Sequence, residues 1–301
     1  MTNTINIQKV TRTFDGRKAL DNISFAVPKN SVVGLLGRNG AGKTTVMSIM
    51  AGQDRPSDGN IEVLGHAPFE HAPTLSQIIY VRDNQRYPDD YRLHHVLRIA
   101  PEFAPNWSEE VAAELVERFR IPEKTRLKKL SRGQLSSVAI VLGLASRAPV
   151  TLLDEPYLGL DVTARAFFHK MLLRDYEDHP RTIVLSTHLI EESASMFDRV
   201  VILDKGRVLV DDETDLARDR AFVLSGSTGA VAKILVDRPV LERRSIGVIT
   251  SVTALGTIDD EFRQRAVEHG LQLARPSLQE LVSAYGAETS ESVETKEVKR
   301  A

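Results

Sequence analysis

The chain has 301 residues, in which 39 lysines and arginines nearly balance 41 aspartates and glutamates, so the formal net charge is −2. This balance argues against nucleic acid as a partner, and the absence of cysteine excludes disulfides, cysteine-ligated metals and a cysteine nucleophile. Every apolar run is far shorter than the roughly 18 residues of a membrane span. We therefore expect a soluble, cytoplasmic protein that meets a membrane only through a partner.

The first part of the chain has the patterns of strands. Residues 5–10 and 23–27 alternate apolar and polar side chains, which predicts two strands with one buried face each. Residues 31–36 are continuously apolar, which is typical of a strand buried on both faces. A glycine-rich turn and a helix over 43–51 follow, and residues 61–64 and 77–81 are predicted to be further strands.

A helical segment is predicted over about 88–147, with Ser108 capping one helix and Ser131 preceding a second. Strand patterns then return at 150–153, 182–186 and 200–203, separated by helical patterns. Strands that alternate with helices predict an α/β fold with a mostly parallel sheet.

The chain changes pattern after Asp215. We predict a small α+β domain over 216–286, with short strands at 222–224, 248–252 and 271–274 and helices at 231–235, 262–269 and 278–285. This region has no phosphate-binding motif, so we expect it to be dispensable for phosphate chemistry elsewhere in the chain but not for the full assembly. The 287–301 tail has almost no apolar residue and is predicted to be disordered.

One segment matches the phosphate-binding pattern G-x-x-x-x-G-K-[ST] in full. Glycines let successive backbone N–H groups point inward, and the helix that follows adds its positive end, so phosphate oxygens meet fixed dipoles. The lysine supplies a mobile cation, and the hydroxyl after it can ligate Mg²⁺. The predicted nucleotide-binding residues are Gly37, Arg38, Asn39, Gly40, Ala41, Gly42, Lys43, Thr44 and the adjacent Thr45.

A second motif ends the strand at 150–153. Asp154 at the end of an apolar strand can hold Mg²⁺ beside such a loop, together with Thr44. The adjacent Glu155 can polarise the attacking water. We therefore predict Asp154 as a metal ligand and Glu155 as a catalytic residue.

Residues 4–215 resemble the ATP-binding subunits of ABC transporters, because five further motifs accompany these two and occur in that family's order. The resemblance implies a P-loop NTPase core with an N-terminal antiparallel β subdomain and a helical subdomain. The five motifs are Phe14, Leu130-Ser131-Arg132-Gly133-Gln134, Leu160-Asp161, Ser186-Thr187-His188 and the helical insert over 88–147.

The resemblance implies a function for each of these residues, although Phe14 and His188 also have a simpler structural explanation. Phe14 would stack on adenine, although it could also be a core residue. Asp161 would lie in the D-loop, and His188 would act as a catalytic residue that contacts the γ-phosphate, although it could also be an ordinary surface histidine.

The signature residues would act in trans. In the family, this motif of one chain presents a helix N-terminus to the phosphate held by the loop of a second chain. The residues alone allow Ser131 to be an ordinary helix cap. The resemblance assigns the trans contact to Ser131, Arg132, Gly133 and Gln134.

Three positions depart from the family's pattern. The usual glutamine of the loop after 77–81 aligns with Asp83, while Gln85 is a competing candidate, so the metal ligand of this loop stays open. Arg132 replaces a glycine in the signature, and Tyr157 replaces a small residue. None of these changes removes a group that hydrolysis requires.

The resemblance implies an ATPase that uses ATP and Mg²⁺, dimerises with a second ATPase subunit and powers a transmembrane permease at the cytoplasmic face of the membrane. The segment 103–108 and the charged residue at the glutamine position resemble one exporter subgroup, and the C-terminal region resembles the small C-terminal domain of many exporter ATPases. These resemblances imply an exporter of drugs, antimicrobial peptides or lipids. An importer with a regulatory C-terminal domain is the alternative within transport. A soluble ABC ATPase outside transport is the alternative from another class, and the single phosphate-binding motif argues against it.

Overall fold

A computed structural model of the chain describes residues 2–82, 85–235 and 238–286. The predictions made for Asp83 and for the 287–301 tail therefore lie outside the described residues. Among the described helices, none has the length and apolar character needed to span a membrane.

The described elements alternate as the α/β prediction requires, with short 3₁₀ turns at Leu127–Lys129 and Ala194–Met196. The strands are β1 (Asn3–Phe14), β2 (Arg17–Pro28), β3 (Val32–Leu36), β4 (Asp58–Val63), β5 (Ile78–Arg82), β6 (Val150–Asp154), β7 (Thr182–Ser186), β8 (Arg199–Asp204), β9 (Arg207–Glu213), β10 (Ala221–Ser227), β11 (Val240–Ile246), β12 (Ile249–Leu255) and β13 (Gln272–Ala274). The helices are α1 (Lys43–Met50), α2 (Ala72–Leu75), α3 (Leu93–Phe103), α4 (Glu109–Arg118), α5 (Arg132–Ala145), α6 (Val162–Asp178), α7 (Ile190–Ser193), α8 (Thr214–Asp219), α9 (Thr228–Ile234), α10 (Asp260–Glu268) and α11 over 278–286.

A six-stranded sheet with the order β5-β6-β7-β3-β8-β9 forms the centre of the fold. Its first five strands are parallel, and β9 pairs with β8 in the antiparallel sense. Apolar cores cover both faces, because successive side chains of a strand point to opposite sides. In β3, Val32 and Leu36 belong to the core with α5 and α6, whereas Val33 and Leu35 belong to the core with α1 and the antiparallel sheet β2-β1-β4.

The register of the parallel strands brings the predicted motifs to one edge. Asp154 at the end of β6 pairs with Ser186 at the end of β7, and Leu35 near the end of β3 pairs with the same Ser186. The glycine-rich loop leaves β3 at this edge. Ligands of open α/β sheets bind at the carboxyl ends of the strands.

The helical segment follows the sequence pattern closely. Ser108 caps α4 as predicted, because its Oγ accepts the N–H of Val111 at 3.3 Å. The helix ends at Arg118, and Arg120 just beyond it adopts a left-handed conformation with φ of 51°.

The C-terminal region forms a β-α-β-β-α-β unit from β10 to β13. Its antiparallel sheet has the order β11-β12-β10-β13, and its apolar core includes Phe222, Val252 and Phe262. The sequence patterns miss β11, because charged side chains interrupt its alternation. They also miss β9, whose second half is acidic. The last helix, α11, buries its Leu278 and Leu281 in the large apolar core that includes side chains of α5 and α6, rather than in the core of this unit.

Candidate active site

The glycine-rich loop between β3 and α1 needs glycine for two different reasons. Gly37 has a φ of 142°, and a Cβ there would lie 2.1 Å from the carbonyl oxygen of Leu203, so the backbone approach leaves no room for a side chain. Gly40 has a φ of 79°, and no atom lies within 4 Å of the position that a Cβ would occupy. The loop is therefore packed against the sheet at its start and open in front of Gly40.

Lys43 lies at the centre of this loop and is buried. Its Nζ donates to the carbonyl oxygens of Gly37 at 2.8 Å and Arg38 at 3.2 Å. Burial lowers the pKa of this lysine, while the negative charges of Glu155 and Asp154 raise it. Among the described residues, the ammonium has only carbonyl partners, and a phosphate is a stronger acceptor for it than a carbonyl.

Asp154 is a buried carboxylate whose two oxygens have partners on neighbouring strands. The Ser186 hydroxyl donates to its Oδ1, and the Tyr80 hydroxyl donates to its Oδ2 at 3.4 Å. Burial, followed by the charge of Asp154, raises the pKa of Tyr80, which keeps the phenol protonated and able to donate. The sequence predicted Asp154 but not Tyr80, whose partnership depends on the register that pairs Tyr80 with Leu152.

Glu155 and His188 lie side by side. The Nδ1 of His188 lies 2.6 Å from Oε2 of Glu155, and the backbone N–H of His188 donates to the same oxygen at 3.3 Å. Glu155 has a φ of 49°, and its own N–H donates to the carbonyl of Ser186 at 3.1 Å. This turn directs the carboxylate toward His188, a contact that the sequence motifs alone do not reveal.

The side chains predicted to hold Mg²⁺ can be compared with the ligands that this ion usually has in proteins. The described residues contain no group of three or more acidic, histidine or cysteine side chains that could hold a metal on its own. Magnesium is usually bound through one or two protein oxygens together with phosphates and water. The exposed hydroxyl of Thr44 and the carboxylate of Asp154 fit that mode, and Gln85 is also exposed.

The signature residues begin α5, and Ser131 is its cap. Its Oγ accepts the N–H of Gln134 at 3.2 Å, and Oε1 of Gln134 accepts the N–H of Ser131 at 3.0 Å. Gly133 crosses Gly159 so closely that a Cβ on Gly133 would lie 2.1 Å from the carbonyl oxygen of Gly159. Arg132, the departure from the family's glycine, is exposed on the first turn.

A cleft of about 950 Å³ lies beside this helix N-terminus. Its lining includes Ser131, Gly133, Gly159 and Asp161, and Oδ1 of Asp161 accepts the N–H of Ala164 at 2.8 Å to cap α6. No described residue of the Lys43 loop lines this cleft. The signature residues therefore face a cleft to which the described residues of the phosphate loop do not contribute.

Phe14 is 45% exposed at the end of β1. The guanidinium of Arg12 lies 4.3 Å from the centre of its ring, and a cavity of about 480 Å³ is lined by Phe14 and Lys18 among others. This exposure argues against the core alternative.

Tyr157, by contrast, is buried and bonds to Ser193 at 3.1 Å, so this departure from the family's pattern fills the core rather than the site.

In this site, a phosphate-type loop with a lysine lies between a buried strand and a helix, and carboxylates lie at the ends of adjacent parallel strands. This arrangement defines a P-loop nucleoside triphosphatase. Comparison with known proteins narrows this class. The family model described as ABC transporter matches residues 20–158. An uncharacterized ABC transporter ATP-binding protein of Methanocaldococcus jannaschii is 31% identical over 239 residues, which cover 76% of this chain and 85% of the relative. The chain therefore belongs to the ABC transporter family, as an ATP-binding and ATP-hydrolysing subunit.

Two further relatives are similar to the chain. The aliphatic sulfonates import ATP-binding protein SsuB 1 of Burkholderia lata is 31% identical, with 72% of this chain and 66% of the relative covered. A solved structure described as the ATP-binding subunit of an ABC transporter aligns with a TM-score of 0.64 and 25% identity, covering 72% of this chain and 92% of that one. These matches confirm the resemblance seen in the motifs and the fold class predicted from it.

Proposed function

We propose that two copies of this chain close around two Mg-ATP molecules and power a separately encoded membrane permease from the cytoplasmic face of the membrane. The observation that supports this proposal is that the N-terminus of α5, capped by Ser131, borders an open cleft whose described lining includes no residue of the Lys43 loop. Such an arrangement suits a signature that contacts the phosphate held by a second chain.

Each side chain of the site has a stated part in this proposal. The loop N–H groups and Lys43 bind the phosphates, and Phe14 stacks on the adenine. Thr44 and Asp154 would hold Mg²⁺, and this ion would supply positive charge that neutralises the phosphates. Ser186 and Tyr80 orient Asp154 for that contact.

Glu155 orients the attacking water and accepts its proton at a carboxylate oxygen. His188 holds that carboxylate through Oε2, so it acts on Glu155 as well as on the γ-phosphate. Ser131 of the second chain aims the N-terminus of α5 at the same phosphate, where the helix dipole stabilises negative charge.

Outward transport of drugs, antimicrobial peptides or lipids is the direction that we propose. It is supported by the segment 103–108 and by the compact C-terminal unit, which the sequence associates with exporter ATPases. Import is the second candidate, because SsuB 1 of Burkholderia lata is named as an import protein and is 31% identical to this chain.

Inverted membrane vesicles that contain the chain with its permease distinguish the two directions. In such vesicles the ATPase faces the medium, so an exporter accumulates cargo in the lumen when Mg-ATP is added, and an importer releases preloaded cargo. We expect ATP-dependent accumulation of a fluorescent cationic dye, peptide or lipid, with Lys43→Ala as the inactive control. Release of preloaded cargo, without accumulation, would establish the import alternative.

A further inference from the structure

The last helix of the chain connects the C-terminal region to the nucleotide site. Leu278, Leu281 and Val282 of α11 are buried and belong to the same large apolar core as side chains of α5 and α6 and Leu36 at the end of β3. By contrast, the β10–β13 unit has its own core around Phe222. The helix is therefore built into the ATPase core, although the chain reaches it only after passing through the C-terminal unit.

The N-terminus of α11 is attached to the segment that follows His188. Oε1 of Glu191 accepts the N–H of Gln279 at 2.9 Å, and this is one of the N–H groups that a helix leaves without an internal partner. Ser277 and Glu280 complete the cap with bonds of 2.8 and 3.1 Å. Glu191 lies three residues after His188, so the start of α11 is anchored close to the side chain that holds Glu155.

The other end of α11 meets the phosphate loop. Nη1 of Arg38 donates to the carbonyl oxygen of Gly286 at 3.4 Å. The two residues also pack closely, since a Cβ on Gly286 would lie 2.7 Å from Cδ of Arg38. Arg38 is the second residue of the loop, and its own carbonyl accepts a bond from Nζ of Lys43.

We propose that α11 is a positioning element of the nucleotide site, which couples the C-terminal region to nucleotide binding through Gly286 at the phosphate loop and Gln279 at the segment after His188. One helix thus braces both segments that contact the terminal phosphates. Because a pre-organised loop binds more tightly than one that must be ordered, loss of this brace weakens nucleotide binding. This inference rests on the nucleotide site of the proposed function and revises the expectation that the region after Asp215 is dispensable for ATP chemistry.

The first test removes the anchor at the start of α11 without touching the loop. Glu191 is exposed, so Glu191→Ala leaves the core intact, and Glu191→Gln keeps an oxygen acceptor at the same place. Loss of a helix cap typically changes an equilibrium by roughly three- to tenfold. We expect Glu191→Ala to raise the Kd for ADP and the KM for ATP by about that factor, with kcat changed less, and Glu191→Gln to restore both.

The matched control is Glu268→Ala, which removes an exposed glutamate from α10 that bonds only to Gln264 among the described residues. Thermal unfolding of all three variants reports a purely structural effect. The inference is overturned if Glu191→Ala binds ADP as the wild type does, if Glu191→Gln is equally impaired, or if Glu268→Ala produces the same change.

The second test reads the coupling in the reverse direction, because coupling between two sites is reciprocal. The chain has no cysteine, so Leu281→Cys places a single buried thiol on α11, and Val252→Cys places one in the C-terminal unit. We expect saturating Mg-ADP to slow labelling of the thiol at 281 by about the same factor as above, to leave the thiol at 252 unchanged, and to have no effect when Lys43→Ala is added.

The inference fails if ADP binds to the wild-type chain but changes neither thiol or both alike. A wild-type chain that does not bind ADP at all would instead contradict the nucleotide site of the proposed function.

Discussion

The carboxylate of Glu155 and the imidazole of His188 form a pair where hydrolysis is proposed to occur. With Oε2 of Glu155 2.6 Å from Nδ1 of His188, the carboxylate is held in one orientation, and no described residue bonds to its other oxygen, which can take the attacking water. We expect Glu155→Gln to lower turnover by roughly 10²–10⁴-fold, the range that a general base contributes, and to leave ATP affinity intact because the phosphates bind to the loop and Lys43. The measurements are steady-state turnover and equilibrium ATP binding. Turnover like that of the wild type would contradict the assignment.

The aromatic ring of Phe14 is exposed, and the guanidinium of Arg12 lies over its face. Stacking of an aromatic side chain on a base is worth about 1–3 kcal/mol when tested by alanine substitution. Phe14→Ala should therefore weaken ATP binding by roughly fivefold or more, whereas Phe14→Trp keeps a stacking surface and should bind nearly normally. The Kd values for ATP and for inorganic triphosphate separate the two contacts, because only ATP carries a base. Equal ATP affinity in Phe14→Ala and the wild type would contradict stacking.

At the scale of elements, α5 and the turn that precedes α6 are joined through a contact between two glycines. Gly133→Ala places a Cβ 2.1 Å from a backbone oxygen that cannot move independently of Gly159. Overpacking of this kind costs about 1–3 kcal/mol, so we expect the free energy of unfolding in urea to fall by that amount and turnover to fall with it.

The control for this change is Gly229→Ala on α9, where no atom lies within 4 Å of the Cβ position. Alanine favours a helix by up to about 1 kcal/mol over glycine, so this variant should be as stable as the wild type or slightly more stable. Equal stability loss in both variants would show that the crossing of Gly133 and Gly159 has no special effect.

Most strands and helices of the core could be predicted because their signals are local. The apolar runs of β3, β6 and β7 are buried on both faces, and the loop before α1 has a pattern that few other structures require. The strands β9 and β11 could not be predicted, since half or more of their side chains are charged or exposed. Their extended conformation depends on hydrogen bonds to the neighbouring strands rather than on a local pattern.

The same distinction applies to the site. Lys43, Asp154 and Glu155 carry motifs that are contiguous in sequence, so their proximity could be predicted from the parallel sheet. The bonds of Tyr80 to Asp154 and of Arg38 to Gly286 join residues 74 and 248 positions apart. Such contacts depend on strand register and on the path of the C-terminal region, which no single segment encodes.

At the scale of the whole molecule, a shared site makes two inactive chains complement each other. Lys43→Ala disables the loop of one chain, and Ser131→Arg obstructs the signature of the other. Each variant alone should be nearly inactive, whereas a mixed dimer contains one site with an intact loop and an intact signature. We expect mixing to recover ATP hydrolysis, measured against each variant at the same total concentration. Sites contained within single chains predict no recovery.

The central claim is that one chain holds only half of each hydrolytic site, and turnover as a function of dilution tests it most directly. The rate of ATP hydrolysis per subunit is measured across a range of chain concentrations, while light scattering or analytical ultracentrifugation records the fraction of dimer at each one. The account predicts that the rate per subunit falls in parallel with the dimer fraction and vanishes where only monomer remains. A constant rate per subunit in a solution of monomers would contradict it.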